Sequence, residues 1–431
     1  MARLRSPYDR QILSLALPAL GALAAGPLYT LVDTAIVGHL GARQLAALAL
    51  AGTVLAAIVE VADFLSYGTT GQVARLHAAG DELEAGEISV QALWLALAVG
   101  ALALVVLLLA GGPFLALIGR GAHVHGRAQT YLDIAVWGVP AQLVALAGEG
   151  CMRGLGDLRT PLRILVVANA ANVALEVLFV YGLGLGLAGS ALGTLIAQLG
   201  MGVAFARRML TAPARRRRPR AALIRPLLAT GGHLTVRTVA LLGAFTLASA
   251  LAARFGTAAL GAHQVAFELF LFLALVLDAI AIAGQILVAR LLGGGEPDAA
   301  WQAAVRMIWW SVAFGFGFGA VLVALSGVGP HAFSASPAVL DDSHGVWLLL
   351  GLMQPLAAAV FALDGILIGA GDTRYLAIAM AAAFAVFVPL ALLASNIDAL
   401  WWALNALIVA RLLTLVPRFV RRRWIVVGAR A

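Results

Sequence analysis

Lysine is absent from this chain, cysteine occurs once, and charged residues of all kinds make up only 12% of 431 positions. The single cysteine, Cys151, excludes an internal disulfide and argues against redox chemistry. A charge content about half that of a typical soluble domain excludes a water-soluble globule, and the mean hydropathy of +0.97 says the same. No nucleophile–base spacing is present. The histidines show no ligand spacing beyond His123-Val-His125, a loop pair whose plainer reading is solvation, so no cofactor or structural metal is expected. No cleavable signal is evident, because Arg3, Arg5 and Arg10 lead into an apolar run too long for a signal-peptide core.

What is present is hydrophobic residues at 62%, with 47 glycines, in apolar stretches of ~18 residues or more that recur along the whole length. Such stretches read as transmembrane helices, and abundant glycine and alanine suit close helix packing in lipid, as in the Gly315/Gly319 step. The formal net charge of +8 would suit nucleic acid, but the arginines lie in short loops between apolar segments. No nucleic-acid partner is therefore expected. A Gly184-Leu-Gly186-Leu-Ala-Gly189 run spells a dinucleotide fingerprint, yet it has no strand before it and is discarded.

The chain also repeats itself at an offset of 215 residues. Val73-Ala74-Arg75-Leu76 returns as Val288-Ala289-Arg290-Leu291, and Pro140, Gly150, Gly154, Gly156 and Asp157 return as Pro355, Gly365, Gly369, Gly371 and Asp372. The sequence predicts twelve helices near 11–38, 44–76, 88–111, 129–153, 160–182, 187–209, 223–253, 258–291, 301–326, 345–369, 374–395 and 398–420. An even number per half makes this a parallel repeat. The expected fold is all-α and membrane-integral, with an N-lobe at 1–210, a basic linker at 211–222 and a C-lobe at 223–431. Placing both termini in the cytoplasm puts 24 arginines inside, including Arg215–Arg218 and Arg421–Arg423. Only Arg43, Arg120, Arg127 and Arg254 fall outside, with Arg237 inside a helix. A bacterial plasma (inner) membrane is the expected location. The linker is first a topology anchor and second a contact for anionic membrane lipid.

Eight carboxylates fall within apolar helices: Asp33, Glu60, Asp63, Glu149, Glu176, Glu268, Asp278 and Asp364. Each costs roughly 2.5–3.5 kcal/mol at a bilayer centre, so each needs a reason. The offset sorts them. Asp63/Asp278 and Glu149/Asp364 occur in both halves, which favours a shared structural or gating task, including bonds to Arg75, Arg290 or Arg153. Asp33 and Glu176 map onto Ala248 and Ala391 and belong to the first half alone. Asn169, Asn172 and Glu176 share one helix face, and Thr194 reaches a similar depth, so these oxygens suit a hard cation or a proton. Glu149 joins them only if its helix runs deep. Glu60 with Tyr67, and Glu268 with Phe267 and Phe270, suit an organic cation through charge and cation–π attraction. Pro18 and Pro27 weaken the first helix ahead of Asp33.

On these residues the chain resembles the multidrug and toxic compound extrusion (MATE) family over essentially its full length. The resemblance rests on Pro18 with Leu31-Val-Asp33-Thr-Ala-Ile-Val-Gly-His-Leu-Gly41, on Arg153-Gly-Leu-Gly-Asp157 and on Gly261-Ala-His-Gln264. The stretch from Glu268 to Arg290 is most similar to the DNA-damage-inducible branch. The resemblance implies two six-helix lobes forming a V around a central cavity. It also implies export of amphipathic, often cationic organic compounds in exchange for H⁺ or Na⁺. It further implies an N-lobe cation site at Asp33, Glu149, Asn172, Glu176 and Thr194. Glu149 and Glu176 stand where the family pattern leads one to expect Asn and Asp, which leaves the coupling ion open. The helix-seven acid of other branches has no counterpart near Arg237 and Leu241. The expected partners are a small organic substrate and membrane lipid, with the chain a monomer. Two alternatives stand beside this reading, a lipid-linked saccharide flippase of the same superfamily and, behind it, an integral-membrane enzyme.

Overall fold

A chain in hydrocarbon must satisfy every backbone N–H and C=O within its own segments, and helices do this without a partner. The computed structural model describes residues 6–119 and 124–429, and among these no strand occurs. Among the described residues twelve helices are long and apolar enough to cross a membrane. They are α1 Pro7–Gly38, α2 Ala42–Ala78, α3 Glu82–Ile118, α4 His125–Leu155, α5 Arg159–Gly182 and α6 Gly186–Thr211. Then come α7 Ala221–Arg254, α8 Thr257–Gly293, α9 Pro297–Ala324, α10 Pro337–Gly369, α11 Thr373–Leu392 and α12 Ile397–Val420. The protein is thus an all-helical, multi-pass membrane protein. Several helices outrun their apolar windows: α10 begins at Pro337 rather than 345. Its added turns carry Asp341, Asp342 and His344, which hydrophobic periodicity does not mark.

By contact the chain divides into two compact units, Gly21–Gly231 on one hand and Met1–Leu20 with Gly232–Ala431 on the other. The first turn of α1 is tied to the later unit because Asp9 accepts from Arg306 Nε at 2.6 Å and from Trp310 Nε1 at 2.8 Å. The start of α7 stays with the earlier unit, where a side chain at Gly231 would run into the Phe64 ring. The linker also stays there. Trp94 Nε1 donates to the Arg217 carbonyl at 2.8 Å and Gln91 Nε2 to that of Arg218 at 3.1 Å. Arg220 pairs with Glu87 at 3.0 Å.

Within each unit the same helix pairings recur, six helices on. In the earlier unit α4 packs against α2, α3 and α6, and α5 packs on α6; in the later unit α10 packs against α8, α9 and α12, and α11 packs on α12. The central helices are accordingly the most buried, with 61% of the apolar window of α4 and 67% of that of α10 enclosed. Glycine makes these approaches possible, and the offset carries each approach over. A Cβ added at Gly150 would lie 2.9 Å from Ser66 Cα, and one at Gly365 would lie 2.8 Å from Ala281 Cα. Gly100 meets Pro140 Cα at 2.7 Å and Gly315 meets Pro355 Cα at 2.8 Å. Both copies of the central helix end on a left-handed glycine, Gly156 at φ 77° and Gly371 at φ 79°. There Asp157 N donates to Met152 O and Asp372 N to Leu367 O, each at 2.9 Å. Other residues are strained at such angles.

These approaches yield a direct test. Gly150→Ala and Gly365→Ala force backbone apart and are expected to cost about 1–3 kcal/mol each. Gly26→Ala and Gly52→Ala, where a Cβ meets nothing within 4 Å, should cost nothing. Thermal unfolding of the detergent-solubilised variants reads the difference.

The halves differ in their irregularities. The predicted helix at 44–76 is interrupted at Asp63, between Ala42–Ala62 and Phe64–Ala78, whereas α8 passes its matching Asp278 unbroken. Helix α4 contains a tighter turn over Val136–Gly138 just ahead of Pro140, whose missing N–H cannot bond back four residues. Helix α5 closes in a π-helical turn, Leu178–Gly182, two residues past Glu176; α11 has none. Such turns concentrate at functional sites in helices.

Candidate ion-binding site

The two acids that the repeat assigns to the first half alone come together. Asp33 on α1 and Glu176 on α5 are buried, at 6% and 0% exposure, and their carboxyl groups lie within hydrogen-bonding reach of each other. Ser190 Oγ on α6 donates to Asp33 Oδ1 at 2.9 Å. Tyr29 OH donates to Glu176 Oε1 at 3.3 Å and sits 3.0 Å from Thr194 Oγ1. Thr194 Oγ1 in turn reaches Glu176 Oε1 at 3.4 Å. The amide of Asn172 is satisfied when its Nδ2 donates to Glu176 Oε1 at 2.6 Å and its oxygen accepts from Thr194 N at 3.3 Å. Tyr131 of α4 closes the site beside Thr194 and Ser190.

The local sequence explains the convergence. Tyr29 and Asp33, and likewise Ser190 and Thr194, are spaced i, i+4 and so share a face. Gly189 and Gly193 form a small-xxx-small step that brings α6 against α5, with a Cβ at Gly193 only 3.0 Å from Glu176 Cγ. Pro27 leaves the Leu23 carbonyl without its i+4 donor, and Asn169 Nδ2 ties α5 to α1 at the nearby Ala25 carbonyl, 3.1 Å away. Tyr181 OH, from the π-turn, donates to Ile36 O at 2.6 Å. The acids are thus held by three helices braced on one another.

Electrostatically the site is one-sided. Among the described residues no arginine or histidine pairs with either acid, and Glu176 Oε2 receives no donor. Two carboxyls in contact within apolar surroundings repel unless a proton or a cation stands between them. Oxygens from Asp33, Glu176, Asn172, Thr194, Ser190 and Tyr29 supply the ligand type that a hard monovalent cation requires.

The other acids are held differently. Glu149 Oε2 accepts from Arg153 at 2.7 Å, and Arg153 also donates to Ser66 at 3.0 Å, so this acid is committed to its own arginine. Its twin, Asp364, accepts from both Arg237 and Arg411 at 2.5 Å. Counting Arg411 among the cytoplasmic charges is therefore corrected: it is buried on α12, and the membrane-embedded acids have more cationic partners than Arg237 alone. Periodicity missed it because a single arginine near a helix end reads as a flanking charge. Asp63 marks the break in α2 and Asp278 sits half-buried in α8. Glu60 is exposed, Tyr67 half-buried, and Glu268 accepts from Gln264 at 2.8 Å.

Phe267 and Phe270 pack edge-to-face on Phe245, at 5.0 and 5.9 Å, and Phe267 stacks on His263. They leave a cavity of about 10 Å³, room for one water at most and not for an organic substrate. In this conformation those rings are packing. His123 of the loop pair lies outside the described residues, and among the described residues no three His, Cys, Asp or Glu converge as metal ligands. Sequence reasoning also missed Tyr29, Ser190 and Tyr131; a search one turn either side of Asp33 and Thr194 finds the first two.

Twelve spans in a duplicated set of helix pairings, with a carboxyl pair buried in only one copy, suit a membrane transporter. The family model described as MatE matches residues 18–178 and 235–393. Protein DETOXIFICATION 44, chloroplastic, of Arabidopsis thaliana is 33% identical over 387 residues, covering 86% of this chain and 74% of its own. DNA damage-inducible protein F of Escherichia coli (strain K12) is 30% identical over 432 residues, covering 96% and 93%. A crystal structure of MATE in the bent conformation superposes with a TM-score of 0.88 at 19% identity, covering 97% of this chain and 96% of that one. At that identity the likeness shows the fold. The chain belongs to the MatE family, and it is a membrane transporter of small molecules.

Proposed function

We propose that the protein is a secondary antiporter that exports amphipathic, cationic organic compounds in exchange for H⁺ or Na⁺. The reading places it in a bacterial plasma membrane with both termini cytoplasmic. The observation that carries it is the meeting of Asp33 and Glu176 without a cationic partner, in the half of the repeat that alone possesses them. The coupling ion binds between these carboxyls, with Asn172 and Thr194 holding Glu176 and Ser190 holding Asp33. With the ion bound the pair carries one negative charge fewer and is bridged, and with it gone the carboxyls repel; α1, α5 and α6 feel that difference directly. A ligand shifts a conformational equilibrium only through such a difference between states. The drive suffices, because one charge moving down 100 mV releases about 2.3 kcal/mol. No cofactor takes part.

Efflux of a cationic dye from proteoliposomes is the test. Under an imposed pH or Na⁺ gradient, export is expected to accelerate with one gradient and to stop when it is collapsed. Export that ignores both gradients overturns the reading.

A further inference from the structure

A second charged feature lies away from the acids, in a cleft of about 600 Å³ between the start of α5 and the end of α6. Its lining includes Thr160 and Arg163 from α5 and Ala204, Arg207, Arg208 and Thr211 from α6. Among the described residues none of these three arginines pairs with a carboxylate. The nearby Asp157 is occupied in capping α5, where it accepts from Thr160 N at 3.0 Å. Three guanidiniums therefore face one open space uncompensated.

The repeat supplies the control. At the offset of 215, Thr160 and Arg163 at the start of α5 become Tyr375 and Ile378 at the start of α11, and the end of α6, Gly186–Thr211, answers to the end of α12, Ile397–Val420. In that copy the space is filled and the charge answered. Tyr375 OH donates to Thr414 O at 2.6 Å beneath the Arg418 guanidinium, and Phe419 stacks on Trp301 and Trp424 at 4.6 and 5.6 Å. Arg422 lies over the Trp301 ring at 4.3 Å and pairs with Asp298 at 3.6 Å. The end where α11 meets α12 is thus packed with its arginines engaged, while the end where α5 meets α6 is open and cationic. Packing alone closes such space.

We infer that the α5–α6 cleft binds a phosphate-bearing anion. Planar guanidiniums match phosphate oxygens two at a time, and the threonine hydroxyls add donors. The volume accommodates a phosphodiester headgroup with part of its glycerol as readily as a free phosphate ester. Basic pockets at the ends of membrane helices hold lipid headgroups in this way. The consequence is structural: an anion bridging Arg163 to Arg207 ties α5 to α6, the helices that carry Glu176 and Thr194.

The experiment titrates purified protein in detergent with phosphatidylglycerol, phosphatidylcholine and pyrophosphate, reading bound mass by native mass spectrometry. Arg163→Ile, Arg163→Lys and the filled variant Thr160→Tyr/Arg163→Ile/Ala204→Phe are run beside wild type. If the source is lipid, phosphatidylglycerol binds in preference to phosphatidylcholine. Each arginine removed should weaken binding about fivefold, the lysine variant should retain most of it, and the filled variant should lose it. If the source is soluble, pyrophosphate follows that order instead. Equal retention of phosphatidylglycerol and phosphatidylcholine with no pyrophosphate binding overturns the inference. So does undiminished binding by the filled variant. Gel filtration and unfolding temperature confirm that each variant is folded, and Arg207→Ala with Arg208→Ala, which fills nothing, repeats the measurement should the filled variant not be.

Discussion

Asparagine in place of Asp33 is expected to slow ion-coupled export severely while leaving the fold intact. The substitution preserves shape and still accepts from Ser190, so the bond at 2.9 Å survives. What it removes is one of the two carboxylates between which the coupling ion is held. Hydrogen bonds and contacts to charged groups are worth about 1.5–3 kcal/mol, so the coupled rate should fall roughly 10- to 100-fold. Glu176→Gln should do the same. The double variant should be scarcely worse than either single one, because residues sharing one ligand are not additive. Thr194→Ala, which removes a neutral oxygen, should cost about fivefold, near 1 kcal/mol. Glu149→Gln serves as the contrast, since that acid answers Arg153 at 2.7 Å and not the pair. Its effect should appear in stability with the gradient dependence intact. Initial efflux rates in proteoliposomes under pH and Na⁺ gradients decide; wild-type coupling in Asp33→Asn removes the site assignment.

The largest stability effect should come from Asp364→Ala. Asp364 is 5% exposed at its side chain and holds two arginines, one of them, Arg411, equally buried. Removing the carboxylate takes this partner from both guanidiniums, and breaking a buried pair costs about 3–5 kcal/mol. The companion experiment separates specific contact from simple burial. Replacing the trio together by Leu and two Met should restore most of the loss, because well-packed apolar groups match a buried ion cluster in energy. Glu149→Ala should be milder, since Arg153 keeps its bond to Ser66. Thermal unfolding in detergent micelles measures all three. Equal losses for Asp364→Ala and Glu149→Ala would show that the second arginine adds nothing.

How far the sequence reached can be followed through particular residues. Apolar length, arginine placement and the 215-residue offset determined the twelve spans and the duplication, because a membrane helix must announce itself by composition. The same offset singled out Asp33 and Glu176, since a carboxylate present in one copy and alanine in the other leaves a visible mismatch. Composition could not say which acids touch. Glu149 returns as an acid in the second half and Glu176 does not, but only packing shows that one faces Arg153 and the other Asp33; that choice depends on helix rotation and depth, set by where Gly189, Gly193 and Gly150 let backbones approach. Arg411 looked like a flanking charge until α12 was packed against α10. The breaks at Asp63 and Val136–Gly138 and the π-turn after Glu176 were equally invisible, because such distortions are settled by neighbouring helices rather than by local propensity. Spans and symmetry are one-dimensional properties of this chain; partners of its charges exist only once helices lie side by side.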